Sequence, residues 1–241
     1  MLMNDQIKIR LAVVVPLANE EKTVDDFLSR VVEHLLPNDR VFCVVDHASK
    51  DNTRARVEHL SHRDPRIVMV WAPENRCVVD AYFRGYESAL EAGASWILEM
   101  DGGMSHQPEE IPRFLKYVEG DFDYVVGCRF MAGGSHTGSL WRRFVSWGGG
   151  ALANALLGTR MRDMTSGFEM FSSKAMKLVT THGVRSRAHF FQTEIKYLLR
   201  DWRWVEVPIT YRSTSPRVPS GALVESLQLL WQMRREARQQ T

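Results

Sequence analysis

Polar side chains follow three of the apolar runs in this sequence. The segments are PLANEEKT (16–23) after the first run, DHASKDNT (46–53) after the second and DGGMSH (101–106) after the fourth. In the third segment Asp101 stands directly before two glycines, with no acid following it until Glu109. A carboxylate there can bind a cation or a sugar hydroxyl, although a single Asp after a strand is also a common turn or helix cap. The recurrence of polar segments after three runs favours a binding site.

The elements that must position these side chains form an alternating pattern. The apolar runs are 10–16, 40–46, 66–71, 95–101 and 123–129. They are apolar at successive positions, which is typical of strands buried on both faces, and helical patterns separate them. An α/β fold with a parallel sheet covered on both sides is therefore predicted. Ligands of such sheets bind beyond the carboxyl ends of the strands, where the three polar segments lie.

The second half of the chain has a different pattern. A glycine-rich stretch that mixes loop and helix follows residue 130, and a strand is predicted over 203–211. We expect one domain over residues 1–220 and an amphipathic basic helix over 221–241. Two interpretations of that helix stay open, since packing on the domain and lying on an anionic membrane surface both suit an apolar stripe with a basic end. The stripe and the basic end are Leu223, Leu227, Leu230, Trp231, Arg234, Arg235 and Arg238.

The composition of the chain limits the kinds of binding partner that can be expected. The 241 residues carry a formal net charge of +2, which is too small to predict a nucleic-acid-binding surface. No run of 18 apolar residues occurs in the sequence, so any membrane contact is expected to be peripheral. Cys43, Cys77 and Cys128 are odd in number and lack metal-ligand spacing, which favours reduced thiols and a cytoplasmic protein, at most peripheral to the membrane.

Seven segments of the chain resemble successive blocks of the family 2 glycosyltransferases, in particular the dolichyl- or polyprenyl-phosphate mannose synthase branch. They are VVVPLANEEKTV, VVDHASKDNT, MDGGMSHQPEEIP, VVGCRFMAGG, RDMTSGFEMF, FQTEIKYLLR and VEVPITY. The resemblance implies the GT-A fold, a single mostly parallel sheet with a Rossmann-like nucleotide-binding half and an acceptor-side half. It implies inverting transfer of a mannose- or glucose-type sugar from a GDP- or UDP-sugar to a polyprenyl phosphate, at the cytoplasmic membrane face.

The resemblance also implies roles for individual residues. Asp101 and Arg129 are expected to be catalytic, with Asp101 as the metal ligand if a metal is used. His106 is as often a loop hydrogen-bond partner, and Arg143 and Glu194 have plain surface interpretations that stay open. The expected donor-binding residues are Pro16, Leu17, Asn19, Glu20, Asp46, His47, Ser49, Asp80, Gly102 and Gly103. Those expected to bind phosphate or the acceptor are Ser105, His106, Arg129, Arg143, Ser166, Gln192, Glu194 and Arg217.

The sequence departs from the family at the metal site. The family has Asp-x-Asp where this chain has Asp101 and Gly103, and it has a second Asp where His47 stands. Magnesium or manganese binding is therefore open, because hard divalent cations need several oxygen ligands. Three explanations remain: arginines neutralise the diphosphate, Asp101 and substrate oxygens hold a metal weakly, or the chain binds a nucleotide-sugar without transferring it. A dehydrogenase is disfavoured, since no G-x-G-x-x-G follows the first strand.

Overall fold

The computed structural model describes residues 9–212 and 220–239, and its centre is a seven-stranded sheet. The predicted Arg217 lies outside the described residues. The strands are β1 Leu11–Leu17, β2 Arg40–Val45, β3 Ile67–Trp71, β4 Trp96–Glu99, β5 Tyr124–Cys128, β6 Ser135–His136, β7 Glu169–Ser172, β8 Trp204–Pro208 and β9 Thr210–Tyr211. The α-helices are α1 Val24–Val32, α2 Thr53–Arg63, α3 Val78–Glu91, α4 Ile111–Leu115, α5 Leu140–Leu157, α6 Ser173–His182, α7 Phe191–Leu198 and α8 Ser220–Gln239, and a 3-10 turn, Pro108–Glu110, precedes α4.

The sheet has the order β3-β2-β1-β4-β7-β5-β8. The pairs among β3, β2, β1 and β4 are parallel, and β7 is antiparallel to both of its neighbours. The five predicted apolar strands are confirmed to within two residues at each end. Strand β7 was not predicted, because this four-residue strand carries the charged Glu169 at a fully buried position.

Apolar cores lie on both faces of the sheet. Successive residues of β1 point to opposite faces, so Val13 packs in the core with Phe27 of α1, and Val14 packs in the core with Tyr86 of α3. Helix α3 lies close on β1 at Gly85, where an added Cβ would come within 2.3 Å of Val14 Cγ1. The absence of a side chain at this position lets α3 lie close to β1 and β2.

Helix α8 contacts the rest of the domain. It packs against α5, and its Leu230 and Met233 belong to the same buried cluster as Ala153 and Leu157 of α5. The helical stripe predicted from the sequence is therefore partly buried on the domain, while Leu227 and Trp231 stay about half exposed. None of the helices in residues 9–212 and 220–239 combines the length and apolar character needed to cross a bilayer.

Candidate active site

A first cavity, of about 460 Å³, opens at the carboxyl ends of β1, β2 and β4. The parallel pairing brings together the three polar segments noted in the sequence. Six of the predicted residues line this cavity: Pro16, Leu17, Glu20, Asp46, Asp101 and Gly102. Asn75, Arg76 and Tyr82 line it as well, and sequence reasoning missed them. Asn75 and Arg76 could have been found from their position just beyond the third apolar run, because that position lies at the same edge of the sheet.

Gly103 and four other predicted donor-site residues do not line the first cavity. Those four lie in the loops and the helix start around it. Asn19, at φ +60°, donates from Nδ2 to the Ala48 carbonyl oxygen and accepts from the Lys50 amide, which ties the first two polar segments together. Ser49 Oγ accepts from the Asn19 amide at 3.1 Å. His47 packs edge-on against Trp71, and Asp80 Oδ2 accepts from the Arg76 amide at 2.8 Å. Their contacts indicate that they hold the cavity wall in shape.

Asp101 lies two residues beyond β4 and its side chain is 40% exposed. Its Oδ1 accepts from the Tyr82 hydroxyl at 2.8 Å, while His106 Nδ1 accepts from the Asp101 backbone amide at 2.9 Å. Burial lowers the pKa of His106, with partial opposition from the Asp101 charge, so the imidazole is neutral at pH 7. Because Nδ1 accepts, the proton resides on Nε2, which lies 3.9 Å from Asp101 Oδ2. The Tyr82 hydroxyl therefore sets the direction of the Asp101 carboxylate, and His106 holds the Asp101 backbone.

A second cavity, of about 500 Å³, adjoins the first. The two share Val78, Tyr82 and Asp101, so they meet at the Asp101 carboxylate. One wall of the second cavity is polar and carries Arg129, His136, Arg142 and Tyr211. The other lining side chains of α5 and those of α8 are mostly apolar and include Trp141, Val145, Leu152, Leu223, Leu227 and Leu230. A cavity with this lining suits a ligand with an anionic head and an apolar tail.

Arg129 is 7% exposed and is held rigidly. Its Nε and Nη2 donate to the two carboxylate oxygens of Asp163 at 2.8 and 2.7 Å, and Nη2 also donates to Thr165 Oγ1. Burial lowers the pKa of Arg129, but the pairing with Asp163 outweighs burial and raises it, so the charge is kept. Burial together with the charges of Arg129 and Arg142 lowers the pKa of His136 to about 4, which makes His136 neutral. The positive charge of this wall therefore comes from the two arginines.

Arg143, Glu194 and Ser166, which were predicted to bind phosphate or the acceptor, line neither cavity. Arg143 is exposed on α5 and lines neither cavity, whereas its neighbour Arg142 lines the second. Glu194 turns to accept from the Arg185 and Ser186 amides, and Ser166 is buried with its carbonyl oxygen bound to Lys196 Nζ at 2.8 Å. Consecutive helical residues point about 100° apart, so the sequence alone could not show whether Arg142 or Arg143 faces the cavity.

Two predicted residues lie close to the cavities with other partners. Ser105 is buried, and its carbonyl oxygen accepts from the Arg212 amide at 2.8 Å. Gln192 lines the second cavity and donates from Nε2 to Glu99 Oε1 at 2.6 Å. Its own Oε1 is buried and has no hydrogen-bond partner among residues 9–212 and 220–239. An amide oxygen with no donor suits a ligand hydroxyl better than a phosphate oxygen, which has no proton to give.

A buried ionic network lies beneath the cavities. Glu99 Oε2 accepts from Tyr86, and Glu169 accepts from both Tyr124 and Lys196. Burial raises the pKa of Glu99 to about 8, and burial lowers the pKa of Lys196 to about 7 against the raising effect of Asp163 and Glu99. Every one of these groups has a partner, which keeps the floor under Asp101 and Gln192 rigid.

Comparison with known proteins identifies the family. Residues 12–179, more than half of the chain, match the family described as glycosyl transferase family 2. The chain belongs to that family. It is thus a glycosyltransferase, as its sequence blocks predicted.

Curated relatives narrow the branch. The chain is 31% identical over 206 residues to polyprenol monophosphomannose synthase of Mycolicibacterium smegmatis, covering 84% of this chain and 77% of the relative. It is 29% identical over 223 residues to undecaprenyl-phosphate mannosyltransferase of Micrococcus luteus, covering 90% of each. The polyprenyl-phosphate mannose synthase-like branch inferred from the sequence blocks is confirmed by these relatives.

Solved structures confirm the GT-A fold. Glucosyl-3-phosphoglycerate synthase of Mycobacterium tuberculosis, in complex with Mn²⁺, UDP-glucose and phosphoglyceric acid, superposes with a TM-score of 0.68. It is 14% identical and covers 95% of this chain and 79% of that one. TarS of Staphylococcus aureus superposes with a TM-score of 0.62 at 14% identity, over 93% of this chain and 65% of that one.

Proposed function

We propose that this chain transfers a mannose- or glucose-type sugar from a nucleoside diphosphate sugar to a polyprenyl phosphate, with inversion at the anomeric carbon. The observation that carries the proposal is the meeting of two chemically unlike cavities at Asp101. One has the size and polar rim suited to a nucleotide, and the lining of the other combines two arginines with apolar side chains of α5 and α8. The names of the curated relatives support this choice of acceptor.

The reaction needs no dedicated base. A phosphate monoester has its second pKa near 6, so at neutral pH most of it is already a dianionic nucleophile. Its oxygen forms a bond to the anomeric carbon on one side while the bond to the diphosphate oxygen breaks on the other, which inverts that carbon. The nucleoside diphosphate leaves with the electron pair. Positioning and charge neutralisation then supply most of the rate enhancement.

The first cavity is the proposed donor site. Pro16 and Leu17 flank the nucleoside, and the Asp46 carboxylate accepts from base or ribose. Arg76, exposed at the rim, lies where a diphosphate would need a cation. Asn19, His47, Ser49 and Asp80 act through the loops they hold. Gly102 lies beside Asp101 on the same wall, so the transferred sugar would project toward the second cavity.

The second cavity is the proposed acceptor site. Arg129 and Arg142 provide charge-assisted donors for the phosphate, and the apolar wall of α5 and α8 accommodates the isoprenoid chain. The neutral His106 and His136 add no charge of their own at pH 7. We propose that Gln192 Oε1 accepts from a sugar hydroxyl as the sugar crosses between the cavities.

A divalent cation, Mg²⁺ or Mn²⁺, belongs to the proposal. When bound, such an ion neutralises the charge that develops on the leaving diphosphate. No cluster of three or more His, Cys, Asp and Glu side chains able to hold a metal occurs within residues 9–212 and 220–239. Asp101 and Glu20 nevertheless line one cavity, and two carboxylates completed by diphosphate oxygens and water are an oxygen ligand set that these ions accept. The residues therefore fit the ion.

We also propose that α5 and α8 rest on the cytoplasmic face of a membrane. Four large apolar side chains of α5 are exposed by 55 to 80%, and four of α8 by 37 to 56%. Amphipathic helices with aromatic side chains and adjacent arginines bind the interface of anionic bilayers. We call this surface the apolar patch; it consists of Leu140, Trp141, Phe144, Trp147, Leu223, Val224, Leu227 and Trp231.

Replacing Phe144 and Trp147 with serine should weaken binding to phosphatidylglycerol vesicles by about tenfold or more, since each side chain loses about 2 kcal/mol of transfer free energy. Neither residue lines the second cavity, so turnover of a short-chain acceptor in solution should change little. Cosedimentation measures the binding. Leu36→Ser is the matched control, because Leu36 is 52% exposed in the chain segment after α1. Equal vesicle binding by the double variant and the control would show that the apolar patch is not the membrane-binding surface.

The proposed function is tested by turnover. Purified protein, GDP-mannose or UDP-glucose and a short-chain polyprenyl phosphate should yield nucleoside diphosphate and a sugar phosphodiester, identified by mass spectrometry. The anomeric configuration of the product should be opposite to that of the donor, which NMR coupling constants of the product can show. Failure of the folded protein to turn over either donor with any lipid phosphate would contradict the proposal.

A further inference from the structure

The space beside Gly103 is already filled by a carboxylate. A Cβ added at Gly103 would lie 2.9 Å from Glu20 Oε1, and the next nearest heavy atom is the Glu20 carboxyl carbon at 3.7 Å. Gly103 has no positive φ, so its backbone would accept an L side chain. The second acid that the family places here is absent from position 103, but the Glu20 carboxylate occupies the same place from the loop that follows β1.

Glu20 is held in that position from both ends. Its backbone amide donates to Thr53 Oγ1 at 2.7 Å, and its Oε2 accepts from Thr23 Oγ1. Its Oε1, the atom nearest Gly103, accepts no hydrogen bond from any residue the structure describes. The neighbouring Glu21 is engaged elsewhere, since its Oε2 accepts from the Asn52 amide and from Asn52 Nδ2. One oxygen of Glu20 is therefore free to bind a ligand in the first cavity.

We infer that Glu20 takes the place of the missing second aspartate and, with Asp101, binds the divalent cation of the donor diphosphate. The inference rests on the proposed donor site and gives Glu20 a role different from the nucleoside contact expected from the family. Both carboxylates line the first cavity. Two carboxylates restore the protein charge that Gly103 removes, which is what a hard cation beside a diphosphate requires.

Manganese binding tests the inference without turnover. Mn²⁺ is titrated into the protein with GDP or UDP present, and free Mn²⁺ is followed by electron paramagnetic resonance. Glu20→Gln should raise the Kd for Mn²⁺ by about tenfold or more, as expected when one of two charged ligands is lost. Glu21→Gln, the adjacent acid with the same change of charge, should stay within about twofold of the unmodified protein. Nucleotide affinity in EDTA should be equal in all three proteins.

Moving the acid provides a second variant. Glu20→Ala empties the space beside position 103, so adding Gly103→Asp to it should recover most of the Mn²⁺ affinity. Gly103→Asp alone should not tighten binding, because its Cβ would crowd Glu20 Oε1. Circular dichroism establishes that each variant is folded.

Three outcomes would overturn the inference: Mn²⁺ binding unchanged in Glu20→Gln, an equal loss in Glu21→Gln, or no Mn²⁺ binding by the unmodified protein with nucleotide. Sugar transfer that persists in EDTA would then leave the proposed function standing while the role of Glu20 fails. Loss of transfer with Mn²⁺ binding as expected would instead contradict the proposed function alone.

Discussion

Asp101→Asn should lower kcat/KM for sugar transfer by about 10³-fold or more, equivalent to about 4 kcal/mol of transition-state stabilisation. The carboxylate lies where the two cavities meet, its direction is set by the Tyr82 hydroxyl, and no other acid in the described part of the chain lines both cavities. Asparagine keeps the size of the side chain and a hydrogen bond to Tyr82 but removes the charge. The loss should therefore come from the chemistry, measured as nucleoside diphosphate released per enzyme.

Two controls separate this effect from damage to the fold. The Asp101 side chain is 40% exposed, so the melting temperature of Asp101→Asn should stay close to that of the unmodified protein. Tyr82→Phe removes only the hydroxyl that orients the carboxylate and should cost about tenfold, the equivalent of one hydrogen bond. Activity of Asp101→Asn within tenfold of normal would show that the reaction does not depend on this carboxylate.

The sheet and the first cavity could be predicted because each depends on local patterns. Five apolar runs gave the strands, and the rule that polar residues gather at the carboxyl ends of parallel strands placed Asp46 and Asp101 together. The lining by Asn75 and Arg76 could have been predicted on the same rule, since they follow the end of β3. From the sequence, side chains that support the loops, such as Asn19 and Asp80, could not be distinguished from side chains that line the cavity. Their hydrogen-bond partners lie in loops whose paths the sequence does not show.

The acceptor side could be predicted less well, because its parts come together only through tertiary packing. Strand β7 enters between β4 and β5 with Glu169 buried against Tyr124 and Lys196, a charge that period-based reasoning assigns to a surface. The sequence left open whether helix α8 packs on the domain or lies on a membrane, and its Leu230 packs in the core with α5. The second cavity has its apolar wall only because these two helices lie side by side.

Arg142→Ala should raise the KM for polyprenyl phosphate and lower kcat/KM by about 30- to 100-fold, the equivalent of about 2 to 3 kcal/mol for a charge-assisted hydrogen bond to phosphate. Arg142 lines the second cavity, and its charge acts on His136 and Tyr211 in the same wall. Steady-state kinetics with a short-chain acceptor measure the loss apart from any effect on membrane binding.

Arg143→Ala is the matched control, because it removes the same charge from the next residue of the same helix. Arg143 is exposed and lines neither cavity, so this variant should keep kcat/KM within about twofold, since exposed charges are screened by solvent and salt. An equal loss in both variants would mean that the helix contributes only a general positive field. A loss confined to Arg143→Ala would show that Arg143 binds the phosphate, as expected from the sequence. It would require α5 to turn by about 100° when the acceptor binds.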